Sequence, residues 1–539
     1  MRSHRGGPLC HSDLPAARPR RRAKDGRAAL TSLFDTASGR VRGRAPDRGV
    51  IAVLGILYAE PPFGTGRFRQ PRPRRAWTGV RDCVEYGAVS PQSAELPGAP
   101  RWSPGDEDIL SLNVWTPERG SGAETRPLPV LVWIHGGAYT FGSSAQPDFD
   151  GAALARAGLV VVTFNYRVGF EGFGHVPADG EDGCPPNRGL LDQIAALEWV
   201  RDNIASFGGA PDDVTVAGQS AGATSVACLM TMDGARGLFR RAIAHSAVGP
   251  VFAPELAEHL ARKVAAEAGV PATHAGLAAA SPHALVRASD AVADGYRQDP
   301  HSGQISWDPV IFGPVADGRL LRADPLGPLA AGEASDVDLL VCHTTQEYWL
   351  FDAVGSSAEV TTAAELSRFA KDFGIPDAVL EGYHRIMPEA SVYEIYLAVC
   401  GDMMYGEYSN RLAVAHARGG GRTFLSRFAR QRGGSQPGVY AWHCADVPFA
   451  FGNIADESAH FLIGGPPTQE DHLLSARMVA AWAGFAATSE PGWQPLGDAS
   501  RDAIRIWGAT DAAAGPGFWR DGEALRELWG TFTYRPAQA

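Results

Sequence analysis

The chain is 539 residues long and 45% apolar, and its 49 Lys and Arg against 60 Asp and Glu leave a net charge of −11. That acidic balance argues against a nucleic-acid partner, and no apolar run reaches the roughly 18 residues that a transmembrane helix needs. What remains is a globular chain with enough length to bury a large core.

The N-terminal stretch is basic through Arg18, Arg20, Arg21, Arg22, Lys24 and Arg27, and no apolar segment follows these charges, so it makes a poor signal peptide. Residues 1–33 are expected to form a disordered leader, and residues 34–539 a single domain. Leu131 to Ile134 and Leu159 to Phe164 are continuous apolar runs, as central strands covered on both faces require. Leu190, Ile194, Leu197, Val200 and Ile204 recur at helical spacing, with Asn187 as the expected N-cap and Gly208-Gly209 as the stop. A strand then leads to Gly218, and Val226, Cys228 and Leu229 continue a helix beyond it. Ala242 to Ala244, Val337 to Val341, Thr423 to Phe428 and Val439 to Trp442 read as further strands. The Gly/Pro-rich stretches Arg297 to Gln304 and Gly433 to Gly438 read as loops. The stretch from about Thr361 to Val414 looks helical and is expected to cap one end of the sheet. Strands alternating with helices predict an α/β fold, with a large, mostly parallel central sheet flanked by helices. The seven cysteines (Cys10, Cys83, Cys184, Cys228, Cys342, Cys400, Cys444) form no C-x-x-C pair, and such a scattered set reads as reduced thiols in a cytoplasmic protein.

The most informative stretch is Val214-Thr215-Val216-Ala217-Gly218-Gln219-Ser220-Ala221-Gly222. An apolar strand enters a G-x-S-x-G turn, and small residues leave it. A sharp strand-to-helix turn of this kind holds a serine hydroxyl clear of the backbone, with glycines where a Cβ would clash. The string alone is weak evidence, since an ordinary Gly/Ser turn also matches it. A serine hydroxyl is a weak nucleophile that needs a base, and the base needs an orienting acid. In α/β-hydrolases the order is Ser, then Asp or Glu, then His. Glu347 follows the run Leu339 to Val341, and His443 follows Tyr440 to Trp442, so both fit that order. His343, His245 and His472 compete: the first shares the loop of Glu347, the second comes too soon after Ser220, and the third lies in a helix-like stretch. A developing oxyanion needs preset N–H donors. Gly136, Gly137 and Ala138 follow a strand and can supply them together with the amide of Ala221; a plain βα turn is the alternative.

Further motifs lie in order along the chain. They include Gly55-Ile56-Leu57-Tyr58-Ala59-Glu60-Pro61-Pro62, Glu107-Asp108-Ile109-Leu110-Ser111-Leu112-Asn113-Val114, Asn165-Tyr166-Arg167-Val168-Gly169, Gly189-Leu190-Leu191-Asp192-Gln193, Phe207-Gly208-Gly209-Ala210-Pro211 and His443 to Gly452. With them, from about Phe34 to Leu528, the chain resembles the type-B carboxylesterase family, which contains cholinesterases and bacterial para-nitrobenzyl esterases. The resemblance implies an α/β-hydrolase fold with helical cap insertions. It implies Ser220 as nucleophile, His443 as base, Glu347 as acid, and an oxyanion hole from the amides of Gly137, Ala138 and Ala221. Gly136 would shape that loop, Gln219 and Ser246 would stand beside the triad, and Glu107, Asp108, Asn165, Arg167 and Asp192 would hold the fold.

The implied activity is hydrolysis of a small-molecule ester through an acyl-enzyme, with no metal or organic cofactor, by a monomer or weak homodimer. The rivals are an acyltransferase using the same acyl-enzyme and a non-catalytic binding homologue. Four departures matter. Gln219 replaces the family's commonest Glu, which makes a preference for cationic substrates less expected. Ile109 replaces a disulfide cysteine, Tyr348 replaces a glycine after the acid, and Tyr440 replaces a glycine before the base. Tyr440 and Trp442 are expected to narrow the site near His443. The side-chain-poor Gly-Gly-Ala loop leads to the expectation that bulky alcohols, tertiary ones included, are accommodated.

Overall fold

The computed structural model describes residues 31–47, 49–93, 101–118, 126–177, 183–432, 439–497, 504–508 and 526–534. Residues 1–30 of the expected leader and the 433–438 loop lie outside this set. Twelve strands among the described residues join one sheet: β1 (Thr31–Thr36), β2 (Gly39–Asp47), β3 (Val50–Leu57), β4 (Val80–Asp82), β5 (Ser111–Pro117), β6 (Leu128–Ile134), β7 (Val160–Phe164), β8 (Gly209–Gln219), β9 (Arg241–His245), β10 (Asp338–Thr344), β11 (Thr423–Phe428) and β12 (Ile504–Trp507). Their order is β1-β2-β3-β5-β7-β6-β8-β9-β10-β11-β12, with β4 paired to β2. Every pair from β7 to β12 is parallel, and the β1-β2-β3-β5-β7 side is antiparallel. Thr31, Ser32 and Leu33, read from sequence as the end of the leader, already pair with Arg44, Gly43 and Arg42.

The apolar runs act as central strands because helices cover both faces of the sheet. Val132, Val162, Val216 and Val341 enter one core, whereas Leu131, Val161, Ala217 and Leu340, their neighbours in sequence, enter the other. The predicted helix is Arg188–Asn203. Asn187 does sit at its N-terminal boundary, but it does not cap it. Its φ of 57° turns the side chain away from the first turn, and its amide instead pairs with the backbone of Val315, donating at 2.8 Å and accepting at 2.7 Å.

The Thr361 to Val414 region is helical as expected: Ala363–Phe373, Asp377–Ile386, Val392–Gly401 and Glu407–Arg418, with a π-helical turn at Asp402–Gly406. The last helix packs on β10 and β11. Val439 to Trp442 is not a strand. Val439 makes one antiparallel bridge to Arg432 and the chain then turns, because the sheet position beside β11 is taken by β12. Arg167 and Asp192 form a fully buried pair at 2.7 Å that holds the fold, as the resemblance implies. Asp108 instead meets Arg74 at the surface and Glu107 is exposed, and such surface charges add little stability.

Candidate active site

Strand order reverses at β6, since the chain passes from β6 to β7 on one side and returns to β8 on the other. Open α/β sheets bind ligands outside the carboxyl ends of their strands at such a point. Registers Ile134↔Gly218, Gln219↔His245 and His245↔Cys342 bring the carboxyl ends of β6, β8, β9 and β10 to one edge. Ser220 therefore lies beside the Gly136 loop on one flank and the Ser246 and Glu347 turns on the other.

Ser220 occupies the turn between β8 and the Ala221–Met230 helix with φ 56° and ψ −126°, a conformation a serine holds only where its surroundings enforce it. The glycines of the motif answer to close approach. A Cβ on Gly222 would lie 2.1 Å from the Ile134 carbonyl oxygen, and one on Gly218 would lie 2.4 Å from that of Gly222. Next door, Gly137 has φ 112°, and a Cβ there would meet the Phe141 carbonyl oxygen at 2.1 Å. The N–H groups of Gly137, Ala138 and Ala221 donate to nothing among the described residues. Ala138, Ser220 and Ala221 line one cavity, and Phe312, Met404 and Tyr405 line it with them. A separate cleft lined by Leu326, Glu407, Arg411 and Arg526 contains none of these groups.

Glu347 and His443 meet in a buried pair, with His443 Nδ1 donating to Oε2 at 2.6 Å. Glu347 Oε1 accepts from the Ser246 hydroxyl at 2.6 Å and from the Thr344 N–H at 2.7 Å. The two loops are also joined through backbone: the N–H of Gln346 donates to the Ala441 carbonyl at 2.9 Å, and that of His443 to the Glu347 carbonyl at 3.1 Å. Tyr348 needs no glycine conformation, with φ −76°, and its buried ring stacks on Phe351. Burial presses the His443 imidazole toward its neutral form, but the Cys444 sulfur and the Glu347 carboxylate outweigh it and hold the pKa above its ordinary value. His443 Nε2 faces the side-chain amide nitrogen of Gln219 at 2.9 Å. The Ser220 hydroxyl makes no hydrogen bond among the described residues.

The competing histidines have other work. His343 is inside β10 rather than in the following loop, and burial lowers its pKa to about 3 with Arg427 adding to the effect. His472 is in the Gln469–Thr488 helix. His245, at the end of β9, accepts from the Trp482 indole at 2.8 Å on Nε2 and so donates from Nδ1 to Asp446 at 2.7 Å. Cys342 Sγ lies 3.5 Å from the same Asp446 oxygen. Both nitrogens of His245 are used, so this cluster acts as a brace.

The brace ties three parts of the site together. The His245 carbonyl accepts from the Ser220 N–H at 2.9 Å, Ser246 follows His245, and Asp446 closes the turn that begins at His443. Sequence reasoning passed over this network; its one signal was a histidine directly after the apolar run Ala242 to Ala244. Asp446→Ala is expected to cost about 3 kcal/mol, measured by urea unfolding, because it strands the buried His245 N–H. Trp442 does not narrow the cavity as expected. Its ring stacks on Phe461, and its N–H goes to the Leu462 carbonyl. Tyr440 likewise packs against Trp349.

Comparison with known proteins gives the site a family. Residues 31–507 match the model of the carboxylesterase family. The chain belongs to that family. The enzyme is a carboxylic-ester hydrolase with an α/β-hydrolase fold. It is 33% identical to the para-nitrobenzyl esterase of Bacillus subtilis (strain 168), over 85% of this chain and 90% of the relative. It is 32% identical to an acylcarnitine hydrolase of Mus musculus over 90% and 86% of the two chains. A solved para-nitrobenzyl esterase superposes with TM-score 0.77 at 30% identity, covering 92% of this chain and 99% of that one. A Geobacillus stearothermophilus carboxylesterase superposes with TM-score 0.75 at 32% identity and the same coverage. Among the described residues, no helix is long and apolar enough to cross a membrane.

Proposed function

We propose that this carboxylesterase works through Ser220, His443 and Glu347, with the amides of Gly137, Ala138 and Ala221 receiving the oxyanion. The observation that carries the reading is the buried His443–Glu347 pair at 2.6 Å, set beside the strained Ser220 turn. His443 Nε2 takes the Ser220 proton as the hydroxyl oxygen attacks the ester carbonyl. The imidazolium then protonates the departing alcohol, leaving the acyl group on Ser220. A water molecule deprotonated by His443 attacks that acyl group, and His443 returns the proton to Ser220 Oγ as the bond to the serine breaks and the acid is freed. The free thiols of Cys83, Cys228, Cys342, Cys400 and Cys444 support a reducing, cytoplasmic compartment. The test is hydrolysis of para-nitrophenyl acetate and butyrate, with a pre-steady-state burst expected from the acyl-enzyme. A folded enzyme that shows neither turnover nor burst would contradict the reading.

Gln219 has a part in this cycle. Its amide nitrogen lies 2.9 Å from Nε2 and can donate only to the neutral imidazole, so it aims the ring and opposes the rise in pKa that Cys444 and Glu347 impose. A carboxylate in that place cannot donate to Nε2 and favours the imidazolium instead. Only the neutral imidazole is a base, so activity rises with pH along a limb set by His443. Gln219→Glu is expected to move that acidic limb of kcat/KM upward by about one pH unit. A pH profile that does not move would show that Gln219 is not coupled to the base.

A further inference from the structure

The cavity in front of Ser220 is walled mostly by apolar groups such as Val248, Val251, Phe252, Val310 and Phe312. One acidic side chain lines it, that of Asp308, which is half-buried. Among the described residues its carboxylate makes no hydrogen bond and no ion pair. Arg297, the cation whose charge acts on it, is half exposed and already paired with Asp294 at 2.6 Å. The groups whose ionisation its charge opposes are Tyr348, Tyr396, Tyr405 and Cys400, all of which burial keeps neutral. Burial pushes the Asp308 carboxyl up to about 6, so it is still mainly ionised at neutral pH. A partly desolvated carboxylate without a partner is a cost to the fold that a bound group of opposite charge reduces.

We propose that Asp308 sets the substrate class of this esterase: it receives a cationic group, an ammonium or protonated amine, carried on one arm of the ester whose carbonyl Ser220 attacks. This rests on the esterase reading above. Gln219 leaves the nucleophile turn itself uncharged, and Asp308 supplies the negative charge from the cavity wall instead. The alkyl stem of such an arm would lie on Val310 and Phe312, and the Tyr405 ring adds an aromatic surface that also suits a cation.

The test compares matched esters. On the acyl side they are para-nitrophenyl trimethylammonio-butyrate and its isostere with tert-butyl in place of trimethylammonium. On the alcohol side they are butyrylcholine and its tert-butyl isostere. Wild-type kcat/KM is expected to favour the cation by about tenfold on one arm, and that arm identifies where the charge sits. The preference should fall toward one in Asp308→Asn, with unfolding curves showing that the variant is folded. The wild-type ratio needs no variant, so it decides even if Asp308→Asn does not fold. A ratio at or below one on both arms overturns the proposal, as does a preference that folded Asp308→Asn retains. Absence of turnover with all four esters and with para-nitrophenyl acetate and butyrate is a different result, which would sink the esterase reading and this inference together.

Discussion

Ser220→Ala is expected to lower kcat for para-nitrophenyl butyrate by something on the order of 10⁶-fold, while the protein melts at the wild-type temperature. The first half follows from the proposed mechanism. Without the hydroxyl oxygen there is no acyl-enzyme, and what survives comes from the oxyanion donors and substrate binding. The second half follows from the structure. The hydroxyl makes no hydrogen bond among the described residues, so its removal breaks nothing. Alanine keeps the Cβ that already tolerates φ 56°. Steady-state kinetics and thermal unfolding on one preparation check both halves. A variant that loses stability along with activity would not identify a nucleophile, and one that keeps the burst would exclude Ser220.

Glu347→Gln is expected to cost about 10⁴-fold in kcat with little change in KM. The replacement amide has only one comfortable orientation. Ser246 Oγ and Thr344 N–H both donate to the Oε1 position, so the amide oxygen must stay there. The amide NH₂ then faces His443 Nδ1, which can no longer donate and must accept. The ring proton moves to Nε2, leaving no lone pair for the Ser220 proton. A loss confined to KM, or an activity near wild type, would remove Glu347 from the proposed triad. Nitrogen chemical shifts of the imidazole would show the tautomer change directly.

Much of this architecture was readable before any coordinates. The runs at Leu131 and Leu159 and the strand leading to Gly218 needed only the rule that a doubly covered strand is apolar throughout. What escaped depends on pairing at a distance. Val439 to Trp442 has strand composition, but whether it joins the sheet is decided by β12, more than sixty residues further on by the numbering of the two segments. Asn187 is legible as a boundary residue, yet its capping role is decided by a backbone angle that composition does not carry. The order of the proposed triad could be read from motif and resemblance. The Trp482–His245–Asp446 brace could not, since each member looks like an unremarkable core or turn residue until register sets them together. Asp308 escaped for a similar reason: nothing in its neighbours in sequence reveals which cavity it lines.

The brace and the His443–Glu347 pair are held by hydrogen bonds between groups far apart in sequence, from 96 residues for His443 and Glu347 to 237 for His245 and Trp482. Closing loops of that span costs more entropy than closing local ones, so these contacts are expected to form late. The proposed catalytic arrangement is thus expected to be a late product of folding rather than the property of any one motif. During refolding, esterase activity is expected to be a clock for the last event, trailing the recovery of helix and sheet, so that a chain almost finished by its secondary structure would still be inert.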